Sequence, residues 1–374
     1  MSEKIRKTVK EIAVPYGLKK VKCIEAGINR NSSEGYKGEG EVYRKHMNQN
    51  LCIVNLNKRK SILIGGRFSS EYVKHPDTIF NKNRAYLKDR HKYTVLTRGI
   101  HVDDILYTRY LLYFMSYVDL KESMEAIQPI LERVIRREII ISGSVYNGNE
   151  VVVNNLYETR FPSGTNERSV LHTVELSLRP DVYKELLQEQ HELIEKNGGK
   201  KDIPFEMLDE MVYLDAFIKE TIRLSGSDLF MPRCTTQEVV MSNGVTISKH
   251  QYVSFNIQAH NRDSKIFGPN ADEFDYKRHI RLGLKLTDTS LANLMWGAGN
   301  RVCLARVYAA ALMKMMLAMI IRKYEVHANY SVKKNKHGQP AFTHYNSLSD
   351  FCTNKGLYFK IRYVDNVVFE LTKK

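Results

Sequence analysis

The sequence predicts a mainly α-helical protein with a minor β-sheet region. Apolar residues recur at helical spacing through most of the chain, including a long run from Cys303 to Tyr324. Short β-rich segments bounded by turn residues are confined to a few places, chiefly 51–64 and 237–257. The 374 residues, 43% of them hydrophobic and 26% charged, suffice for a sizeable core in one large domain or two ordinary ones, and exclude disorder and fibre repeats.

Taken in order, Leu51 to Leu56 and Ser61 to Ile64 read as strands around a basic turn, and Ser69 to Lys74 as the start of a helix. From Asp103 to Ile141, residues such as Ile105, Leu112, Met115, Met124, Ile127, Leu131 and Val134 keep a helical period, with Pro129 as an expected break or kink. Val151 to Val153 read as strand. Ser163 or Thr165 is placed to cap a helix running to about Leu178; Pro180 opens a second helix, closed by Asn197-Gly198-Gly199. Phe205 to Leu224 reads as a third helix. Gln237 to Met241, the turn Asn243-Gly244, Thr246 to Ile247 and Tyr252 to Ile257 together resemble a hairpin. A stretch with little regular patterning, 261–298, leads to the final helix. There are no internal repeats and no linker splitting the second half, so one domain is the simpler expectation.

Several function classes drop out. No stretch reaches the roughly 18 apolar residues of a membrane span, and the nearest approach, Ala309 to Ile321, is interrupted by Lys314. The first residues carry neither the apolar block nor the cleavage site of a secretory signal, so the chain as written reads as soluble. Cys23, Cys52, Cys234, Cys303 and Cys352 form no close-set pair, which argues against a disulfide framework or a structural zinc site. The net charge of +15 suits an acidic partner, whether nucleic acid, an anionic membrane surface or an acidic protein. It is dispersed, in clusters such as Lys58, Arg59, Lys60 and Lys333, Lys334, Lys336, with no basic helix interleaved with aromatics, so a solvated basic surface accounts for it and no nucleic acid is expected.

Two segments hold residues with chemical potential. In Met295 to Arg306 a glycine-rich loop runs into a helix whose expected first turn contains Cys303. Backbone N–H groups at a helix start favour a thiolate, which serves as metal ligand or nucleophile, and Arg301 adds positive charge; a small residue packed at a helix entry fits the same pattern. In the segment Leu214 to Leu224, Glu220 and Arg223 share one helix face at i, i+3, a spacing that chance also produces.

Order and company sharpen this reading. The Glu220-Thr-Ile-Arg223 helix is followed by the hairpin, by Ala259-His-Asn-Arg-Asp263, by Phe267 to Arg278, and by the Trp296 to Arg306 loop. This series closely resembles the cytochrome P450 superfamily, fungal type: its ExxR helix, its aromatic-x-x-x-Arg stretch and its cysteine loop, in the same order. Gly299 before the cysteine, Arg301 and Ala305 fit the loop pattern; Trp296 replaces the usual Phe and Leu304 a frequent Pro. Arg179 to Leu187 and the stretch from Gly99 through Arg109 extend the resemblance more weakly, and residues 1–34 show none.

The resemblance implies a heme-thiolate monooxygenase fold built over 35–374. It implies heme b as cofactor, with Cys303 as the iron ligand and Glu220, Arg223 and Arg278 as a buried ion-pair network. Arg301, Arg233 and Arg109 pair with the heme propionates, with His101 as a further contact, and Thr165, helped by Asn166, stands where proton delivery to bound oxygen occurs. It further implies an apolar small-molecule substrate, a NADPH-cytochrome P450 reductase or similar acidic flavoprotein as electron donor, and relatives at the endoplasmic reticulum, with room for membrane association. Arg306, Lys314, Arg322 and Lys323 are placed to meet such a donor. The stretch between Arg109 and Gly164 is too short for the helices the superfamily normally holds there. A deletion around 140–163, leaving the distal side incomplete, is therefore expected, with a catalytically impaired heme-binding remnant as the alternative and a basic nucleic-acid-binding protein as a distant third.

Overall fold

The computed structural model describes strands at 11–12, 21–26 and 357–361 and, with short breaks, residues 51–81, 119–153 and 166–328; the breaks include 226–232, 291–292 and 298–301. Among these residues the strands form a seven-stranded sheet, a four-stranded sheet and a two-stranded ribbon.

In the seven-stranded sheet, β1 (Glu11–Ile12) pairs with β2 (Val21–Ala26), which runs parallel to β3 (Leu51–Leu56). Next comes β4 (Arg59–Ile64), antiparallel to β3 with Leu51 opposite Ile64. β5 (Phe80–Asn81) closes the far edge against β8 (Arg233–Thr235). Between β4 and β8 lies β11 (Tyr252–Phe255), parallel to β4 and antiparallel to β8. This corrects the sequence expectation: β9 (Val239–Val240) and β10 (Thr246–Ile247) make the hairpin by themselves. Val253 and Phe255 are buried, and Phe255 stacks on Tyr72 of α1 (Ser69–Lys74) with ring centroids 5.6 Å apart. Burying that apolar face decides the strand's partner more strongly than the proximity of β10 does.

The larger core lies among the helices. In α2 (Leu120–Ile141), Met124, Leu131 and Ile135 face inward. The helix passes through Pro129 without ending, so of the expected break or kink there is no break. Pro129 is on the exposed face, where water can satisfy the carbonyl left without its N–H. β6 (Ser144–Tyr146) and β7 (Glu150–Val153) follow, then α3 (Asn166–Ser177) and α4 (Pro180–Lys196), the latter with Pro at its first position as expected. Gly198 and Gly199 past its end have φ of 68° and 78°, a left-handed backbone that glycine takes without strain.

The expected single helix 205–224 is two, α5 (Met207–Glu210) and α6 (Val212–Ser225), with the break at Met211. Glu189 of α4 reaches across to accept hydrogen bonds from the backbone N–H groups of Tyr213 (2.5 Å) and Leu214 (3.1 Å), capping α6 from another helix. The stretch expected to lack pattern contains α7 (Ile257–His260), α8 (Ser264–Phe267) and α9 (Lys277–Arg281). The final helix, α10 (Arg306–Lys323), is buried continuously from Ala310 to Arg322. It leads into β12 (Tyr324–Ala328), which pairs with β13 (Leu357–Ile361), itself antiparallel to β7.

Candidate heme-thiolate site

The helix α6 turns one face toward the loops that precede α9. Glu220 and Arg223 meet in a two-pronged ion pair, Arg223 Nε to Glu220 Oε2 and Nη2 to Oε1, each 2.7 Å, with both side chains buried. Arg223 also donates to the carbonyls of Ala271 (2.6 Å), Glu273 (3.2 Å) and Asn261, and its guanidinium lies 4.9 Å from the centre of the Phe267 ring. Glu220 in turn accepts from the backbone N–H of Asp275 at 2.8 Å and from His279 Nε2 at 2.9 Å. Arg278 completes the group: its Nε stands 3.6 Å from Glu220 Oε1, and its other nitrogens donate to Asn270 Oδ1 (2.8 Å), Asn270 O (2.8 Å) and Phe267 O.

Burial alone pushes the Glu220 carboxyl up. The charge and hydrogen bonds of Arg223, with those of His279, outweigh it and hold the group well below the usual carboxylate range. Burial lowers His279, so the neutral ring presents Nε2–H to the ionised carboxylate. The structure places Glu220, Arg223 and Arg278 side by side, together with His279 and the backbone carbonyls of the loops, which the sequence reading did not include. The available signal was the Arg278-His279 pair, two adjacent potential donors in one short segment.

The second part is the loop before α10. Trp296 is buried in the helical core and its indole N–H donates to Leu286 O at 2.7 Å. Gly297 follows with φ of 79°, where a side chain would be strained. The loop is closed by a hydrogen bond from Cys303 N to Trp296 O, 2.8 Å. Cys303 stands ahead of the helix, which begins at Arg306 with Ala305 as its N-cap, and so lies outside the first turn where the sequence had placed it. Its thiol is free and half-buried. Cys234 is fully buried, its sulfur donating toward Thr235 O at 3.8 Å.

The donor set tests the fit to heme. Among the described residues no group of three or more His, Cys, Asp or Glu is placed to hold a metal ion. A single accessible thiol on an anchored loop would suit an iron whose remaining donors a porphyrin supplies, and on this observation Cys303 fits the group. Of the remaining expected residues, Arg233 is half-buried in β8, its guanidinium 6.0 Å from the Tyr72 ring centre, and Asn166 begins α3. Arg109, His101, Thr165, Gly299 and Arg301 lie outside the described residues.

Two of the cations expected at a docking surface are corrected. Lys314 is buried and paired with Asp215 at 2.9 Å, and Arg322 is buried against Gln190 Oε1 (2.9 Å) and the carbonyl of Lys201 (3.1 Å). Arg306 folds back toward Cys303 O at 3.4 Å, and Lys323, exposed, pairs with Glu132. Helical period alone does not tell a buried cation from a surface one when a helix is enclosed on all sides.

The fold is mainly α-helical with a minor sheet, and its site combines a buried Glu-x-x-Arg network with a loop-borne thiol ahead of a buried helix. Residues 170–352 match the family model described as Cytochrome P450, and over this stretch the chain is a member of the cytochrome P450 superfamily. It is 31% identical over 186 residues to the cytochrome P450 monooxygenase janQ of Penicillium janthinellum, covering 47% of this chain and 35% of the relative. It is 25% identical over 197 residues to a probable cytochrome P450 313a4 of Drosophila melanogaster, covering 53% of this chain and 38% of the relative. It is also 31% identical over 169 residues to indoleacetaldoxime dehydratase of Arabidopsis thaliana, covering 44% and 33%. The matched stretches thus span about a third of the length of these curated relatives. No helix among the described residues is long and apolar enough to cross a membrane.

Proposed function

We propose that the chain binds heme b and acts as a heme-thiolate monooxygenase, inserting one oxygen atom from O2 into an apolar organic substrate with electrons from an acidic flavoprotein reductase. The observation that carries this reading is the pairing of a buried Glu220–Arg223–Arg278 network with a free, half-buried thiol at Cys303 on a closed loop. When bound, heme iron supplies the activation of oxygen, and a thiolate ligand favours O–O cleavage by donating electron density.

In this reading Cys303 supplies the ligand, and the Trp296–Cys303 hydrogen bond fixes where the sulfur is presented. Arg301, Arg233 and Arg109 receive the propionate carboxylates, for which guanidinium forks are suited, with His101 as a further contact. Trp296, Gly299 and Ala305 shape the loop around the thiol. Thr165 and Asn166 hold the proton path. A deletion around 140–163 leaves the distal side open to water, and the alternative reading, an impaired heme-binding remnant, follows from it.

The test is reconstitution with heme. The ferrous carbon-monoxide complex is expected to show the red-shifted Soret band of thiolate ligation, lost in Cys303→Ser and moved to a histidine-type spectrum in Cys303→His. A native spectrum in Cys303→Ser overturns the ligand assignment. Turnover with a reductase, read as product formed per electron donor consumed, then separates the monooxygenase from the remnant.

A further inference from the structure

Away from the Glu220 network, a second polar pathway runs between α6 and the cysteine loop. Asp215, one turn into α6, accepts from Lys314 Nζ of α10 through Oδ1 at 2.9 Å and from Leu286 N through Oδ2 at 2.6 Å. The next link is the same residue's other backbone group, since Leu286 O accepts the Trp296 indole N–H at 2.7 Å. Trp296 O then receives Cys303 N. Lys314 is 7% exposed and donates further to Leu208 O at 2.8 Å, so α5, α6, α10 and the segment at 286 converge on one ion pair.

We propose that Asp215 is a positioning residue for Cys303: it anchors Leu286, which fixes Trp296, which in turn fixes the backbone N–H acceptor of the thiol-bearing residue, while Lys314 offsets the charge of the Asp215 carboxylate. The inference rests on the heme-thiolate reading for its consequence, the presentation of the ligand, while the anchor itself is a property of the chain alone. The links are one ion pair and three hydrogen bonds, each 2.9 Å or shorter, and the bond from Trp296 to Leu286 is buried, where water competes weakly. Lys314, from α10, pairs with the carboxylate and offsets its charge, so replacing both residues by neutral ones tests the acceptor alone.

The experiment compares two double variants, each of which removes both members of the Asp215–Lys314 pair so that neither is left without the other. In Asp215→Asn/Lys314→Met the amide oxygen still accepts from Leu286 N. In Asp215→Leu/Lys314→Met that acceptor is gone. The chain contains a single tryptophan, so intrinsic fluorescence reads Trp296 directly in the heme-free protein. The Asn/Met variant is expected to keep the parental emission maximum and acrylamide quenching, while the Leu/Met variant shows a red shift and a severalfold rise in quenching. After heme loading, the red-shifted carbon-monoxide band is expected to persist in the first and to fall in favour of the unligated-thiolate form in the second. Two variants that match each other in Trp296 emission, whether both native-like or both altered, overturn the anchor. A parental chain without the thiolate band overturns the heme reading instead, and the fluorescence comparison still decides the anchor.

Discussion

The Nε2 atom of His279 lies 2.9 Å from Oε2 of Glu220, so the carboxylate that pairs with Arg223 is held from two sides, by a residue three positions along its own helix and by one 59 positions away. The pair is therefore a junction between α6 and the loops around 261–279 rather than a helix-surface contact.

This junction sets a hierarchy of substitutions. Glu220→Ala leaves Arg223 and Arg278 without their carboxylate, and Arg223→Ala removes the guanidinium from Glu220 and from the carbonyls of Asn261 and Ala271. Each is expected to cost about 3–5 kcal/mol and to prevent stable heme loading. His279→Phe removes one neutral donor, at about 1–3 kcal/mol. Chemical denaturation read by circular dichroism checks the order, and equal losses for all three would contradict it.

The cap supplied by Glu189 makes stability depend on pH. Burial outweighs the hydrogen bonds from Tyr213 and Leu214 and the charge of Lys314, with Asp215 acting in the same direction as burial, and the Glu189 carboxyl is raised from 4.5 to about 7. Between these values the folded chain holds a proton that the unfolded chain has released. Stability therefore falls as pH rises through that window, by about 1.4 kcal/mol for each unit separating the two values. Glu189→Gln, which keeps one acceptor for α6, is expected to flatten the slope of Tm against pH; an unchanged slope would assign it elsewhere.

Thiol labelling follows exposure. In the heme-free native chain an alkylating reagent followed by peptide mass spectrometry is expected to modify Cys303 and to spare Cys234, which is fully buried, until the protein unfolds. Heme loading is expected to protect Cys303. Modification of Cys234 before Cys303 would exclude the assignment of the accessible thiol.

The adjacent cations Arg322 and Lys323 should differ sharply. Burial lowers Arg322 to about 10, and its guanidinium is satisfied by Gln190 Oε1 and the carbonyl of Lys201. Arg322→Ala is expected to cost about 2–4 kcal/mol through partners left unsatisfied, whereas Lys323→Ala, at an exposed pair with Glu132, should cost well under about 1 kcal/mol. Thermal melts of the two variants check this.

How much was legible in the sequence depended on how local the cause was. Pro180 and Asn197-Gly198-Gly199 marked the ends of α4 because caps act through neighbouring backbone, and Glu220, Arg223 and Cys303 stood out through fixed spacing and order. The break at Met211 was not legible, because the carboxylate that caps α6 comes from Glu189 on a different helix. His279 was missed for the same reason. Lys314 read as a surface charge because its partner, Asp215, is visible only once α6 and α10 are packed. β11 was assigned to the wrong neighbour because its pairing with β4 is decided by a buried face assembled from distant segments.

That last pairing also constrains how the chain is made. Residues 61–64 find their parallel partner only at 252–255. During synthesis the β4 edge therefore emerges long before the strand that covers it, a bare row of N–H and C=O groups and apolar side chains open to pairing with another nascent chain. Translation speed and chaperone supply between those two points then bear on the yield of folded protein alongside the stability of the finished molecule.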